Sequence, residues 1–219
     1  MSRTELLAGV PLFADFTPDE LDDITKASTV EDLRRGDVLF RENDEADRLY
    51  VVAKGRIAIS KRSVDNRESV VALMEQGDLL GEMSLFQPLG RSAEARALEP
   101  SQVVTIRYEP VRRIYEERPE LLWGVVDLLA DRVRTMDVAL ADSVFLDVTG
   151  RTAKRLVEMA AGSDEFTLPV TQEELAAMVG ASRERVNKAI ASFVRLGWIE
   201  QSERRYRITD REQLERRAR

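Results

Sequence analysis

Apolar residues between positions 29 and 108 occur in short runs separated by turn residues. The runs occupy positions 38–40, 49–52, 57–59, 70–73 and 103–106. The turns between them contain Gly36-Asp37, Asn43-Asp44, Lys54-Gly55, Asp65-Asn66 and Gly77-Asp78. Many short strands at regular spacing are typical of a sandwich or barrel of antiparallel strands, so we predict a β jelly roll for this segment.

Helical patterns flank the predicted barrel on both sides. Before it, residues 1–27 contain apolar positions at helical spacing, and Thr17-Pro18 supplies a helix start with proline at the first helical position. After it, Pro119 ends the preceding segment and a long helix follows. Its apolar residues are spaced alternately by four and three positions: Leu122, Val126, Leu129, Val133, Met136 and Leu140.

These six residues, which we call the heptad seam, have the spacing of a coiled coil. A helix that packs only on its own domain usually carries a broader apolar stripe. The alternation of four and three therefore predicts that two copies of the chain pair along this helix.

Two short helices are predicted near the C-terminus. Thr171 and Glu174 form a capping box, in which each side chain binds the other residue's backbone N–H. Gly180 is suited to end that helix, and Ser182 to cap the next one. The segments 198–200 and 205–208 then predict the two strands of a small hairpin.

The second of these helices has a polar and an apolar face. The polar face contains Arg183, Glu184, Asn187 and Lys188, and the apolar face contains Val186, Ala189, Ile190 and Phe193. Any surface helix can have two such faces. Two capped helices, a glycine turn and charged residues at the start of the second helix are, in combination, typical of a helix-turn-helix, whose second helix contacts base edges in the major groove. We therefore predict a winged helix-turn-helix that binds DNA.

Composition narrows the functional classes. Of the 219 residues, 43% are hydrophobic and none is cysteine or histidine. Disulfides, thiolate or imidazole metal ligands, and catalysis by cysteine or histidine are therefore excluded. Because we also find no nucleophile–base pair and no metal cluster, we predict neither an enzyme nor a metal site.

Charge and hydropathy bear on location and partners. Residues 150–219 hold 14 Lys/Arg against 11 Asp/Glu, whereas residues 1–149 hold 19 against 29. A basic C-terminal part suits contact with phosphates, although the excess is mild. The N-terminus lacks the apolar segment of a signal peptide, and no apolar run is long enough for a membrane span. We expect a cytoplasmic protein.

One segment inside the predicted barrel carries chemistry of its own. Gly81 allows backbone amides to approach a ligand, and Glu82 can accept from a sugar hydroxyl. Arg91 can pair bidentately with a phosphate, with Ser92 as a neutral donor beside it. The residues suit a phosphorylated ribose, but spacing alone leaves open a surface turn with an ordinary Glu–Arg ion pair.

In their order along the chain, these features resemble the cyclic AMP receptor protein family of bacterial transcription regulators. The resemblance covers essentially the whole chain and is carried by Gly81-Glu82-Met83-Ser84-Leu85-Phe86, Gly90-Arg91-Ser92-Ala93, the heptad helix, Phe145-Leu146-Asp147-Val148-Thr149-Gly150-Arg151 and Ser182-Arg183-Glu184. It implies an α+β fold with a cyclic-nucleotide-binding jelly roll (1–118), a dimerisation helix and hinge (119–148), and a winged helix-turn-helix (149–219).

The resemblance also implies a cAMP site and its residues. These are Gly81, Glu82, Met83, Ser84, Arg91, Ser92, Arg132, Met136 and Asp137. Gly81 and Glu82 would hold the ribose, Arg91 and Ser92 the cyclic phosphate, and Arg132 would lie near the nucleotide. We expect replacement of Arg91 to abolish a response to cAMP and to spare the fold.

The base end of this site departs from the family pattern. In members that respond to cAMP, adjacent small polar residues of the long helix contact the adenine, one from each subunit. Met136 and Asp137 occupy those positions here. A thioether is at best a weak acceptor, and an aspartate brings negative charge towards an anionic ligand.

For DNA, the resemblance implies a TGTGA-like palindrome. Arg183 would donate to a guanine, Glu184 would accept from a cytosine amino group, and Lys188 would reach a second guanine, beside Asn187 on the same face. The remaining DNA-binding residues, expected at phosphates, are Thr171, Gln172, Ser182 and Arg185. The implied partners are double-stranded DNA, RNA polymerase and a second copy of the chain, with no membrane.

Three interpretations remain open on the sequence alone. The first is a homodimeric regulator, activator or repressor, that is controlled by cAMP. The second is the same regulator acting without cAMP or with another ligand, because Met136 packs a seam that is already closed. The third is a cyclic-nucleotide-binding subunit that regulates an enzyme, which the base-reading face of the second helix disfavours.

Overall fold

The structure, a computed structural model, describes residues 2–64, 68–87 and 89–219. The turn predicted at Asp65-Asn66 lies outside these residues. The described residues form two compact units: one contains the residues up to 133 apart from 68–70, and the other contains 68–70 and 134–219. The division falls within the long helix, and the domain boundaries at 118 and 148 remain predictions.

The first unit begins with helices and continues as strands. Its helices are α1 (Arg3–Ala8), α2 (Pro18–Ala27), α3 (Met83–Phe86) and α4 (Tyr108–Glu117), with 3-10 turns at Pro11–Phe13 and Pro119–Leu121. Its strands are β1 (Thr29–Leu33), β2 (Val38–Phe40), β3 (Arg48–Lys54), β4 (Ile57–Arg62), β5 (Glu68–Met74, shared with the second unit), β6 (Leu79–Leu80), β7 (Glu94–Ala97) and β8 (Ser101–Arg107). Helix α5 (Leu122–Phe145) continues from this unit into the second.

Two four-stranded sheets form the barrel. Their strand orders are β1-β8-β3-β6 and β2-β7-β4-β5. The central strand β3 is apolar from Leu49 to Ala53, because alternate side chains point to opposite faces of a sheet and both faces are buried here. Tyr50 and Val52 pack against the second sheet, while Leu49 and Val51 pack against the helices. The predicted jelly roll is confirmed.

The N-terminal helices are fixed to α4 by polar contacts as well as by packing. Tyr115 is buried and its hydroxyl donates to the Leu12 carbonyl at 2.6 Å. Burial raises the pKa of Tyr115, so its hydroxyl remains a donor. Arg118 pairs with Glu20 at 2.9 Å, and Val125 places the first turns of α5 in the same core.

The second unit is a winged helix-turn-helix. Its helices are α6 (Val148–Ala160), α7 (Gln172–Val179), α8 (Arg183–Arg195) and α9 (Arg211–Arg217), and its three-stranded sheet has the order β10 (Ile199–Ser202), β11 (Arg205–Ile208), β9 (Glu165–Thr167). The capping box is present, with Glu174 N–H to Thr171 Oγ1 at 3.2 Å and Thr171 N–H to Glu174 Oε2 at 2.6 Å. Gly180 ends α7 at φ +68°, a left-handed conformation that glycine adopts without strain.

Within the described residues, none of the helices combines the length and the apolar composition that a bilayer crossing requires. Asp147 caps α6 by accepting from the Gly150 N–H at 2.8 Å and also pairs with Arg217 of α9, so this residue joins the start of α6 to α9.

Candidate nucleotide and DNA sites

The turn between β6 and α3 is built around a glycine. Gly81 has φ +85°, and a Cβ placed on it would lie 2.4 Å from Nη1 of Arg91. Any side chain here would therefore both strain the backbone and displace the guanidinium. Glu82 follows directly and is only 1% exposed, at the N-terminus of α3.

Arg91 is buried at 4% exposure, and its guanidinium is held in a defined position. It donates to the carbonyls of Gly81 at 3.1 Å and of Arg48 at 2.7 Å, and to the Tyr108 hydroxyl at 3.1 Å. Its guanidinium carbon lies 4.3 Å from the centroid of the Phe40 ring. All of these partners are neutral, and Arg91 forms no ion pair within the part of the chain that the structure describes.

Two buried polar atoms in this turn have no hydrogen-bond partner among the described residues: Nε of Arg91, a donor, and Oε2 of Glu82, an acceptor. The other carboxylate oxygen of Glu82 pairs with Arg132 of α5, which also donates to the Leu79 carbonyl at 3.2 Å. A buried cation without a counter-ion suits an anion, and a buried carboxylate oxygen without a donor suits a hydroxyl. A cyclic phosphate fused to a ribose offers both groups.

Three other residues of the predicted site, Met83, Ser84 and Ser92, follow Glu82 or Arg91 in the sequence. Ser84 is buried and hydrogen-bonds to Tyr108, whose hydroxyl also donates to the Gly81 carbonyl. Burial raises the pKa of Tyr108, so the phenol stays protonated and keeps this bond. Met83 is exposed, as is Ser92, whose hydroxyl contacts the Met83 sulfur at 3.8 Å. Ser92 thus gives up only a weak bond if it turns to a ligand.

Gly81 and Gly77 offer a matched pair of substitutions. Both have positive φ, but a Cβ on Gly77 would meet nothing within 4 Å. We expect Gly77→Ala to cost only backbone strain, about 1–2 kcal/mol of unfolding free energy, and to leave nucleotide affinity unchanged. Gly81→Ala adds the overlap with Arg91, so we expect a further loss of stability and at least about tenfold weaker cAMP binding, about 1.4 kcal/mol. Urea unfolding and calorimetric titration measure both; equal nucleotide affinity in the two variants would contradict the role of Gly81.

The structure brings together Gly81, Glu82, Arg91 and Arg132, but not the two predicted base contacts. Met136, at 69% exposure, and Asp137 are both on the exposed surface of α5. Asp137 has no ion-pair or hydrogen-bond partner within the described ranges. The whole heptad seam is exposed in the single chain, between 39% and 69%.

Sequence analysis did not find Tyr108, Phe40 or Tyr50 as parts of this site. Phe40 and Tyr50 stack with their centroids 5.7 Å apart, and both rings lie near the Arg91 guanidinium. The two aromatics occur in predicted strands, but only the pairing of those strands within the barrel brings them to Arg91. Tyr108 begins the helix directly after β8, which is a position without a distinctive pattern.

The candidate DNA surface lies at the start of α8. Ser182 caps the helix by accepting from the Arg185 N–H at 3.4 Å. The residues of its first turns that are exposed are Arg183, Glu184, Arg185 and Lys188, while Val186, Ala189, Ile190 and Phe193 are buried. The division into a charged exposed face and an apolar buried face agrees with the prediction, except at Asn187.

Three other residues predicted to contact DNA are less exposed than these. Thr171 and Gln172, at the start of α7, are half-buried. Asn187 is also half-buried, and its Oδ1 is buried without a partner among the described residues. Asn187 is therefore a weaker candidate for a base contact than its exposed neighbours on the same helix.

Family models match both parts of the chain. Residues 30–118 match a cyclic nucleotide-binding domain, and residues 150–217 match a Crp-like helix-turn-helix domain. The chain is similar to a "CRP-like cAMP-activated global transcriptional regulator" from Mycobacterium tuberculosis H37Rv, with 37% identity over 98% of this chain and 99% of that one.

Solved structures show the same architecture. The catabolite activator protein of Thermus thermophilus is 27% identical, covers 95% of this chain and 98% of its own, and superposes with a TM-score of 0.53. A regulator from Xanthomonas campestris named CLP, described as responsive to c-di-GMP, is 23% identical, covers 88% and 99%, and has a TM-score of 0.76. The latter likeness concerns the fold alone.

Proposed function

Since this chain belongs to the cyclic AMP receptor protein family of DNA-binding transcription regulators, we propose that it is a cAMP-controlled homodimer that binds a TGTGA-like palindrome. The family consists of regulators with a helix-turn-helix, so the chain is not an enzyme. The interpretation as an enzyme-regulating subunit is therefore dropped. RNA polymerase is the expected partner through which DNA binding changes transcription.

One observation supports the choice of ligand: among the residues that the structure describes, the buried guanidinium of Arg91 has only neutral partners, and a buried oxygen of Glu82 nearby has no donor. A cyclic phosphate would supply the anion that Arg91 lacks, with Ser92 as a second donor. The ribose hydroxyl would donate to Glu82 while Arg132 neutralises the other carboxylate oxygen. The chemistry of both ends of the sugar phosphate is thus complementary to the residues present.

The exposed heptad seam supports the homodimer. Six large apolar side chains in one stripe on a single helix would be costly to leave in water, and their spacing matches a coiled coil. Two copies would present two α8 helices to half-sites about one helical turn apart on a palindrome. For cAMP to regulate this protein, it must bind the DNA-competent state more tightly than the other state.

The charged residues at the start of α8 support the choice of DNA sequence. Arg183 is a fork donor suited to guanine, and Glu184 is an acceptor suited to the cytosine amino group. Lys188 is a point donor rather than a fork, so we expect softer discrimination at its base. Arg185 and Ser182 are exposed beside these residues, and we expect them to contact phosphate.

A second candidate function keeps the regulator and changes the effector. Met136 and Asp137 stand where adenine contacts are expected, and neither is a neutral polar group. In this alternative the protein binds DNA without cAMP or answers another ligand. A protein with a similar fold is described as responsive to c-di-GMP, so the fold itself is compatible with other effectors.

Fluorescence anisotropy separates the two candidates. A labelled TGTGA-type palindrome is titrated with the full chain, with and without saturating cAMP, at one fixed salt concentration because phosphate contacts make affinity salt-dependent. We expect cAMP to strengthen binding by about 5- to 150-fold, the usual range of an allosteric coupling. Tight, specific binding that is the same without cAMP would favour the second candidate, and a scrambled duplex controls for non-specific binding.

A further inference from the structure

Helix α5 carries a specific charge pattern beside its apolar seam. With Val126, Val133 and Leu140 as heptad positions a, and Leu122, Leu129 and Met136 as positions d, the flanking positions e and g are set. Positions g are Val125, Arg132 and Ala139, and positions e are Trp123, Ala130, Asp137 and Val144. Arg132 and Asp137 are thus the only charged residues at e and g.

The two charged residues differ in their surroundings within one chain. Arg132 lies towards its own barrel and pairs with Glu82, and its side chain keeps 36% of its exposure. Val125, one heptad earlier at position g, is buried in the core of the same unit. Asp137 is exposed and has no partner among the described residues. Within the described part of one chain, a negative charge is therefore left unpaired at the edge of the seam.

A parallel coiled coil places each g residue beside the e residue five positions further along the other helix. Arg132 and Asp137 have this separation. We infer that Arg132 of one subunit pairs with Asp137 of the partner subunit, in two symmetric copies, and that this pair specifies the parallel register. The inference rests on the proposed homodimer. It assigns Asp137 to partner recognition instead of contact with a nucleotide base.

Charge complementarity also argues against the opposite orientation. In an antiparallel pair, e faces e and g faces g, so Asp137 would meet only Trp, Ala, Val or another Asp, and no opposite charge would be satisfied. Pairs at e and g are known to set partner choice and orientation in coiled coils. Arg132 would then lie between two carboxylates, those of Glu82 in its own subunit and Asp137 in the other. This one residue would thus connect the turn between β6 and α3 to the dimer interface.

The test measures dimer dissociation of the full chain by sedimentation equilibrium at low and high salt. The control is Asp127→Asn, which makes the same chemical change on the same helix at heptad position b, away from the seam. We expect Asp137→Asn to weaken the dimer about two- to thirtyfold at low salt, the range for two exposed ion pairs, and less at high salt. Asp137→Lys is expected to weaken it further, because Lys would face Arg132. Asp127→Asn is expected to match wild type.

A second measurement tests register directly. The chain has no cysteine, so Met136→Cys at position d forms a disulfide with its own copy only when the helices pair parallel and in register. Adding Asp137→Lys is expected to slow this cross-link, and adding Asp127→Asn is not. If wild type is a dimer, and the Asp137 variants dissociate and cross-link as it does, the ion pair is overturned and the homodimer stands. A wild-type chain that is monomeric would instead overturn the homodimer on which the inference rests.

Discussion

Replacing Arg183 with alanine is expected to remove about 1–3 kcal/mol of binding free energy at each half-site of a TGTGA palindrome and to relax the preference at one base pair. Arg183 is the first residue of α8 and is exposed, so its side chain is free to reach a base edge. The helix should persist in the variant, because the Ser182 cap and the buried residues Val186 and Ile190 are untouched.

Arg185→Ala is the matched control for this experiment. Arg185 is exposed in the same turn, carries the same charge, and is expected to contact phosphate. Its loss should weaken binding to all sequences alike and reduce the slope of log affinity against log salt by about one unit per contact. Anisotropy on the palindrome and on duplexes with single base changes distinguishes the variants. If Arg183→Ala weakened every duplex equally, Arg183 would be a phosphate contact and the base assignment would be wrong.

The barrel strands that sequence analysis found contain apolar runs of three or four residues, whereas the strands that it missed do not: β6 is only two residues long, and β1 and β7 lack such a run. The runs at 49–52 and 103–106 lie in β3 and β8, which are buried on both faces. Strand β1 is exposed along most of its length, so its sequence, Thr-Val-Glu-Asp-Leu, lacks such a run. Strand β7 places Ala95 and Ala97 in the interior, and small residues give little hydropathy contrast.

The helix-turn-helix was predictable because residues close in sequence determine where its helices begin and end. Thr171, Glu174, Gly180 and Ser182 act within a few residues of their own backbone, and the structure has each in its predicted role. Helices α6 and α9 were not predicted. The pairing of Asp147 with Arg217 joins α6 to α9 across seventy positions of sequence, and no local pattern indicates such a contact.

The turn that contains Gly81 and Glu82 was likewise predictable in part. That Gly81, Glu82 and Arg91 belong to one site was predicted from their types and order, through the family resemblance. The burial of Arg91 among neutral partners, and the Glu82 oxygen that has no donor among the described residues, depend on the packing of β3, α4 and α5 around the turn. These two features favour an anionic, hydroxyl-bearing ligand, whereas spacing alone had left an ordinary ion pair open.

Arg91→Ala is expected to weaken cAMP binding by about 100-fold or more, because two charge-assisted hydrogen bonds to the phosphate, each worth about 1.5–3 kcal/mol, are lost. The effect on the ligand-free fold should be small. The variant removes one donor from the Arg48 carbonyl and one from the Gly81 carbonyl, which keeps the Tyr108 hydroxyl as a donor, and this loss destabilises the fold. It also removes a buried charge that has no counter-ion among the described residues, which stabilises the fold.

Thermal unfolding with and without cAMP measures both consequences in one experiment. A ligand at 100 times its Kd stabilises the folded state by about 2.7 kcal/mol, so wild type should gain this amount and Arg91→Ala almost none. Arg56→Ala is the control: Arg56 is a partly buried arginine paired with Glu99 at 2.7 Å, outside the Gly81–Arg91 turn. We expect this control to lower the baseline stability and keep the full gain with cAMP. An equal gain in Arg91→Ala and wild type would show that the phosphate binds elsewhere, since a buried guanidinium that held the anion could not be removed without losing the linkage between ligand and fold.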